Sequence, residues 1–247
     1  MADNSRILVF DIESTNLKAD FGFCLCVGYK WFGERRVHVP SVQEHPGDLD
    51  SGLMKHIWPI LASADIWITY NGIRFDQRFL NSRMYKAGLP PLPPVAHVDL
   101  LYTMRSKFCL HSNRLASVQE FLDLEDAKTP IKMDIWVKAM QGSPTALRYI
   151  VEHCKQDVLV LEQAYTIMRA YMLRHPRVNG YGPCPTCGED KLQKRGFSVV
   201  RPPLKNRKQR FQCTACGGWT TQAIPNETGS GKKARKGLSA ASGSRPA

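Results

Sequence analysis

Long apolar runs are missing from this 247-residue sequence. The most apolar stretches, Phe21–Val27 and Ile66–Tyr70, fall far short of the roughly 20 residues a membrane-spanning helix needs, so no membrane partner is expected. Met1–Arg6 is polar and no apolar leader core follows it, so the expectation is an intracellular, cytoplasmic protein. Thiols stay reduced there, and the eight cysteines read as metal ligands or small hydrophobes before disulfides. No repeat recurs at a period of about 20–50 residues, which excludes solenoids and propellers. Acidic residues are scarce in one place. Gly180–Ala247 holds three Asp and Glu against 13 Lys and Arg, a net of +10, whereas Met1–Asn179 holds 19 against 21, a net of +2. The total of +12 therefore belongs almost wholly to the last 68 residues. Beyond Ala223 there is no aromatic residue, and residues 223–247 read as a disordered basic tail.

What is present suggests one full domain and a small module. Pro176, Gly180, Gly182 and Pro183 interrupt a long helical pattern, which gives a domain over residues 1–175, a linker over 176–182 and a module over 183–222. In the domain, Arg6–Ile12, Phe21–Gly33, Arg35–Pro40, Asp65–Tyr70 and Val95–Val98 read as strands. Asp48–Ser63, Phe75–Ala87, Leu115–Leu122, Ile135–Met140 and Pro144 to about Leu173 read as helices. Three strands followed by alternating helices and strands predict an α/β fold, a mixed sheet flanked by helices.

Four carboxylates stand out by position. Asp11 and Glu13 end the first strand two residues apart, so both project from the face that carries Ile7 and Val9. Asp76 closes Asn71-Gly-Ile-Arg-Phe-Asp76 after the fourth strand. Asp157 lies one helical turn after His153, so these two share a face. Singly, each has a plain structural role open to it: a turn or cap for Asp11, a helix cap for Asp76, a solvated pair or a structural histidine for the last two. Together, converging carboxylates repel unless divalent cations neutralise them, and hard oxygen donors suit Mg²⁺ or Mn²⁺. Asp99, at the start of a helix, reads as a cap.

At these residues the sequence resembles the DEDD superfamily of 3′–5′ exonucleases, with their ribonuclease H-like fold. It is most similar to the proofreading exonuclease domains of family B DNA polymerases and their free-standing relatives. The resemblance runs from about Arg6 to Tyr171 through Phe10-Asp-Ile-Glu13, Tyr70-Asn-Gly-Ile-Arg-Phe-Asp76 and His153-Cys-Lys-Gln-Asp-Val158, supported by Val98–Leu101 and Leu115–Leu122. It implies that Asp11, Glu13, Asp76 and Asp157 hold two Mg²⁺ or Mn²⁺ for phosphodiester hydrolysis, with Asp11 bridging. It also implies contacts from Asn71 and Phe75 to the terminal nucleotide of a DNA 3′ end. Replication or recombination proteins are the implied partners, and oligomeric state stays open. The third motif departs from the family, which has histidine five residues or tyrosine four residues before the aspartate. Here the four-before position is His153, expected to orient or deprotonate the attacking water. A ribonuclease, a structure-specific endonuclease and an inert DNA-binding adaptor remain alternatives.

The remaining motif is Cys184-Pro-Thr-Cys187 and Cys213-Thr-Ala-Cys216, 25 residues apart, each followed by glycine. Four thiolates so spaced specify one structural Zn²⁺ in a zinc ribbon with strands Leu192–Val200 and Lys208–Cys213. Such a module is too small to fold without a staple. It resembles the ribbons of transposases and transcription factors. Eight Lys or Arg lie between the pairs, among them Lys194, Arg195, Lys205, Arg207, Lys208 and Arg210, with Phe197 and Phe211 interleaved. They suit phosphate contact with base stacking, against a solvated or protein-docking face. Cys24, Cys26, Cys109 and Cys154 are expected to act as small hydrophobes.

Overall fold

Ile7, Leu8, Val9, Phe10 and Ile12 are all buried, as befits a strand covered on both faces. They form β1 (Ile7–Ser14) in a computed structural model that describes residues 6–124, 131–172, 175–176, 184–198 and 208–223. β2 (Cys24–Trp31) runs antiparallel to β1. β3 (Ile66–Thr69) and β4 (Ala96–Asp99) extend the sheet in parallel on the other side, giving the order β2-β1-β3-β4. The sheet is mixed, as expected, because the first connection is a helix-free loop over residues 15–23 and the later ones cross over through helices.

Alternation along β1 divides the core. Leu8, Phe10 and Ile12 face α1 (Ser51–Ala62) and α2 (Asp76–Lys86), packing with Leu53, Ile57, Leu61 and Phe79. Ile7 and Val9 face the opposite layer. There α3 (Leu100–Lys107) and the long α6 (Pro144–Met168) supply Leu100, Met104, Val158, Leu161 and Tyr165. α4 (Leu115–Phe121) and α5 (Met133–Met140) complete that side, and a 3₁₀ turn at Arg169–Tyr171 follows α6. Among the described residues no helix is long and apolar enough to cross a membrane.

A second sheet holds β5 (Leu192–Phe197), β6 (Lys208–Cys213) and β7 (Trp219–Ala223), antiparallel in that order. β7 was not expected. Its Trp-Thr-Thr-Gln run follows the second cysteine pair so closely that the knuckle concealed it.

Arg35–Pro40 does not form the expected strand. Only bridges at Tyr29–His38 and Cys26–Ser41 form, with main-chain bonds at His38, Pro40 and Val42, because Pro40 has no N–H to donate to a ladder. Cys24, Cys26 and Cys154 are buried as expected, but Cys109 is exposed. The expected linker over 176–182 and tail over 223–247 lie outside the described residues, except Pro176 and Ala223.

Two ion pairs, one partly buried and one buried, tie these elements together. Lys30 of β2 pairs with Glu162 of α6. The Asp50 carboxylate, 1% exposed, accepts from Arg83 at 2.8 and 3.0 Å and from the Cys24 amide at 2.7 Å. Arg83 also donates to the Ala19 carbonyl at 3.0 Å. Arg83→Ala leaves a buried charge without its partner, and a loss of about 3–5 kcal/mol is expected in urea unfolding.

Candidate active site

The parity that puts Ile7 and Val9 under α6 brings Asp11 and Glu13 to the same face at the carboxyl end of β1. α6 crosses there closely because β2 has glycine opposite Asp11, at Gly28. A Cβ on Gly28 would lie 2.8 Å from Cys154 Sγ and 2.9 Å from a Val158 methyl, distances no real side chain tolerates. The start of α6 is set by Pro144 in the first turn and by Ser143, whose hydroxyl accepts from the Ala146 amide at 3.4 Å. His153 and Asp157, both buried, then face β1. His153 Nε2 lies 3.9 Å from Glu13 Oε1 and 3.5 Å from Asp157 Oδ2. Donor atoms of Glu13, His153 and Asp157 lie within 4.8 Å of one another, as do those of Asp11, Glu13 and Cys154. Four of the five expected site residues thus meet.

Asp76 stands outside these two groups. It is the first residue of α2, 3% exposed. Burial raises its carboxyl to about 7; its own amide and that of Ile12 pull the other way, and Asp99 adds to the rise. Its amide contact with Ile12 nevertheless ties it to β1 between Asp11 and Glu13. Between pH 3.8 and about 7, the folded chain holds a proton that the unfolded chain has lost. The stability this contributes is full below 3.8 and disappears as pH rises through 7. Melting curves across pH 4–8 in magnesium-free buffer are expected to show that decline in the wild type and a flatter profile in Asp76→Asn.

The turn that delivers Asp76 depends on Asp99. Its carboxylate accepts from the amides of Asn71 (2.8 Å), Ile73 (3.1 Å) and Leu101 (3.1 Å). The expected cap of α3 is therefore also the anchor of the Asn71–Asp76 turn. Asn71 adopts φ +65°, which asparagine tolerates better than most residues. A Cβ on Gly72 would lie 2.2 Å from Thr69 Oγ1.

β1 and β3 are parallel, so their carboxyl ends share one edge of the sheet. A groove of about 950 Å³ opens there, lined by Lys18 after β1, by Tyr70, Asn71, Arg74 and Phe75 after β3, and by Arg105 and Arg114. A smaller hollow continues it past Arg78 and Lys86. Asn71 and Phe75 are where the resemblance implies a nucleotide, although Phe75 also packs on Phe79 at 5.7 Å. The cations along the groove were missed. They are scattered in a nearly neutral segment, and only the recurrence of Arg74 just before α2 with Arg78 and Lys86 on it could have betrayed them.

In the second sheet, the four cysteine sulfurs lie within 4.8 Å of one another. Cys184 and Cys216 sulfurs are 3.6 Å apart and those of Cys187 and Cys213 are 3.7 Å apart. Two thiolates bound tetrahedrally to one zinc at about 2.3 Å would be about 3.8 Å apart, so the set fits Zn²⁺. Gly188 and Gly217 take the left-handed conformation, φ +79° and +73°, and each donates back to the first cysteine of its pair. Thr186 and Gly218 amides point at the sulfurs of Cys184 and Cys216 at 3.4 Å. Burial and neighbouring thiols push Cys216 up to about 12, so a cation is needed before all four can ionise. Lys194, Arg195 and Arg210 are exposed and Lys208 is partly so. Arg210 stacks 4.8 Å over Trp219. Lys205 and Arg207 lie outside the described residues.

Residues 8–169 match the family model of the RNase_H superfamily. The chain belongs to that superfamily. The match takes in all five expected site residues and stops short of the four cysteines. No curated protein matches the chain. Among solved structures, it is similar to the family B DNA polymerase from the hyperthermophilic archaeon Pyrobaculum calidifontis. The TM-score is 0.53 and the identity 16%, over 82% of this chain and 32% of that one. The chain thus spans about a third of the polymerase's length, and the likeness is one of fold. This RNase_H-superfamily member has a mixed sheet, helices on both its faces and its candidate site carboxylates at the carboxyl end of β1 and on α2 and α6.

Proposed function

We propose that the protein is a metal-dependent 3′–5′ exonuclease acting on single-stranded DNA, with residues 1–175 carrying the chemistry and 183–222 a zinc ribbon that helps grip the strand. The observation that carries this reading is the meeting of Asp11 and Glu13 with His153 and Asp157 at the edge where the cation-lined groove opens. Burying carboxylates so close together is costly without a cation, which disfavours an inert adaptor. Asp11, Glu13, Asp76 and Asp157 would hold two divalent ions, Mg²⁺ or Mn²⁺. Those ions supply Lewis acidity and neutralise charge developing at the phosphate.

The chain's own residues do the rest. Lys18, Arg74, Arg105 and Arg114 offset the phosphates of an entering strand, and Tyr70 and Phe75 offer aromatic faces to a terminal base. Asp99 holds the turn that sets Asn71, Phe75 and Asp76 in register with β1. Zinc in the cysteine cluster is structural, because all four positions are taken by protein sulfur.

Digestion of DNA and RNA labelled at the 5′ end, with Mg²⁺ or Mn²⁺, tests the reading. A ladder shortening from the 3′ end on DNA alone is expected. Internal cuts indicate an endonuclease, cleavage of RNA alone a ribonuclease, and binding without cleavage the adaptor.

A further inference from the structure

We infer that His153 is a direct nitrogen ligand of the carboxylate centre, so that Glu13, His153 and Asp157 together hold a first-row transition cation, Mn²⁺ included, in preference to Mg²⁺. This rests on the reading above that the cluster binds divalent ions, and it departs from the water-orienting role expected of His153. The first ground is helical geometry. At 100° per residue, a residue four before Asp157 lies about 40° from it around the helix and one turn away, whereas a residue five before lies about 140° away. The spacing in this chain therefore makes the histidine a neighbour of the aspartate on one face. A histidine at the other spacing would point well away from it.

The second ground is where the ring nitrogen goes. Nε2 is the atom that would have to take a proton from water, and it is aimed between two carboxylates, 3.9 Å from Glu13 and 3.5 Å from Asp157. Donors bound at about 2.1 Å to a single ion are at most about 4.2 Å apart, so both separations fit shared ligation. The two carboxylates come from β1 and α6; the Lys30–Glu162 pair and the close approach at Gly28 hold α6 against β2, the strand paired with β1. That makes the triad a feature of the packed core.

The third ground is the donor set. Carboxylate oxygens alone suit Mg²⁺, while an imidazole nitrogen among them favours ions later in the first transition row. Cys154, one residue along, is grouped with Asp11 and Glu13 and not with Glu13, His153 and Asp157. Its sulfur is turned into β2 against Gly28 and bonds the Asp11 carbonyl at 3.8 Å.

The test uses the full chain with zinc in the ribbon and Mn²⁺ as the probe. Continuous-wave electron paramagnetic resonance measures Mn²⁺ uptake, and pulsed experiments look for nitrogen coupled to the bound ion. Coupling of the strength of a ligated imidazole is expected in the wild type. It should change to the ¹⁵N pattern when the chain is grown with ¹⁵N-histidine, which requires no variant to fold. His153→Ala should lose the coupling and weaken Mn²⁺ binding about tenfold or more, with Mg²⁺ binding changed far less. His153→Gln, which keeps the bulk, should behave alike. Bound Mn²⁺ without histidine nitrogen coupling in the wild type overturns the inference but leaves the nuclease reading standing. No uptake of Mn²⁺ at all overturns both.

Discussion

Asp11→Ala and Asp157→Ala are each expected to lower metal-dependent cleavage by on the order of a thousandfold or more, about 4 kcal/mol of transition-state stabilisation. Asp11 sits on the face of β1 beneath α6, and Asp157 one turn below His153 on α6 itself. Each removes charge that a cation would need at the point where strand and helix meet. Neither removal opens the core, because the apolar contacts of β1 and α6 are made by Ile7, Val9, Val158 and Leu161. Relief of repulsion among the remaining carboxylates should leave thermal stability unchanged or slightly raised. Single-turnover cleavage of labelled DNA beside a melting curve gives both readings. A stable variant that keeps a tenth of the rate would show that its carboxylate is not part of the metal centre.

Removal of zinc from the proposed four-cysteine site is the second large effect expected. Structural zinc sites of four thiolates contribute about 10–16 kcal/mol of apparent binding free energy in small modules. In the ribbon, Leu192, Phe211 and Trp219 are only partly buried, and among the described residues the well-covered positions are Cys184, Pro185, Cys213, Gly218 and Thr220. So little core cannot hold three strands alone. Chelation, or Cys184→Ala, is expected to unfold β5, β6 and β7 and leave the first sheet folded. Near-ultraviolet dichroism of Trp219 should report the change. With the ribbon unfolded, Lys194, Arg195, Lys208 and Arg210 no longer present one surface. If all four touch phosphate, the dependence of log affinity on log salt for single-stranded DNA should lose about 3 from its slope. An unchanged slope would make the ribbon a protein-docking module.

The order of the candidate site residues was legible because each part is local. Strand parity puts Asp11 and Glu13 on one face, helical spacing puts His153 with Asp157, and two C-x-x-C pairs with their glycines describe a zinc knuckle before any fold is known. Most elements were legible too, since β1, β3, α1, α2 and α6 carry clear apolar periods. Arg35–Pro40 misled because alternation says nothing of Pro40's missing donor. The paired state of β7 was hidden because its partner, β6, lies across the knuckle.

What this sequence determined by itself is which chemistry it can support: hard oxygen donors at one site, soft sulfur donors at another, and a surplus of positive charge at its C-terminal end. The tertiary structure alone decided how those groups meet. The fold brings Lys18, Arg74, Arg105 and Arg114, far apart in the chain, into one groove past the carboxyl ends of β1 and β3. Gly28 lets α6 approach until His153 lies between Glu13 and Asp157. Asp99 proves to be an anchor of the Asn71–Asp76 turn as well as a cap. The difference is physical. Periodicity and spacing record what one strand or helix does with its own faces, whereas distances between side chains on different elements follow from packing, which no local pattern encodes.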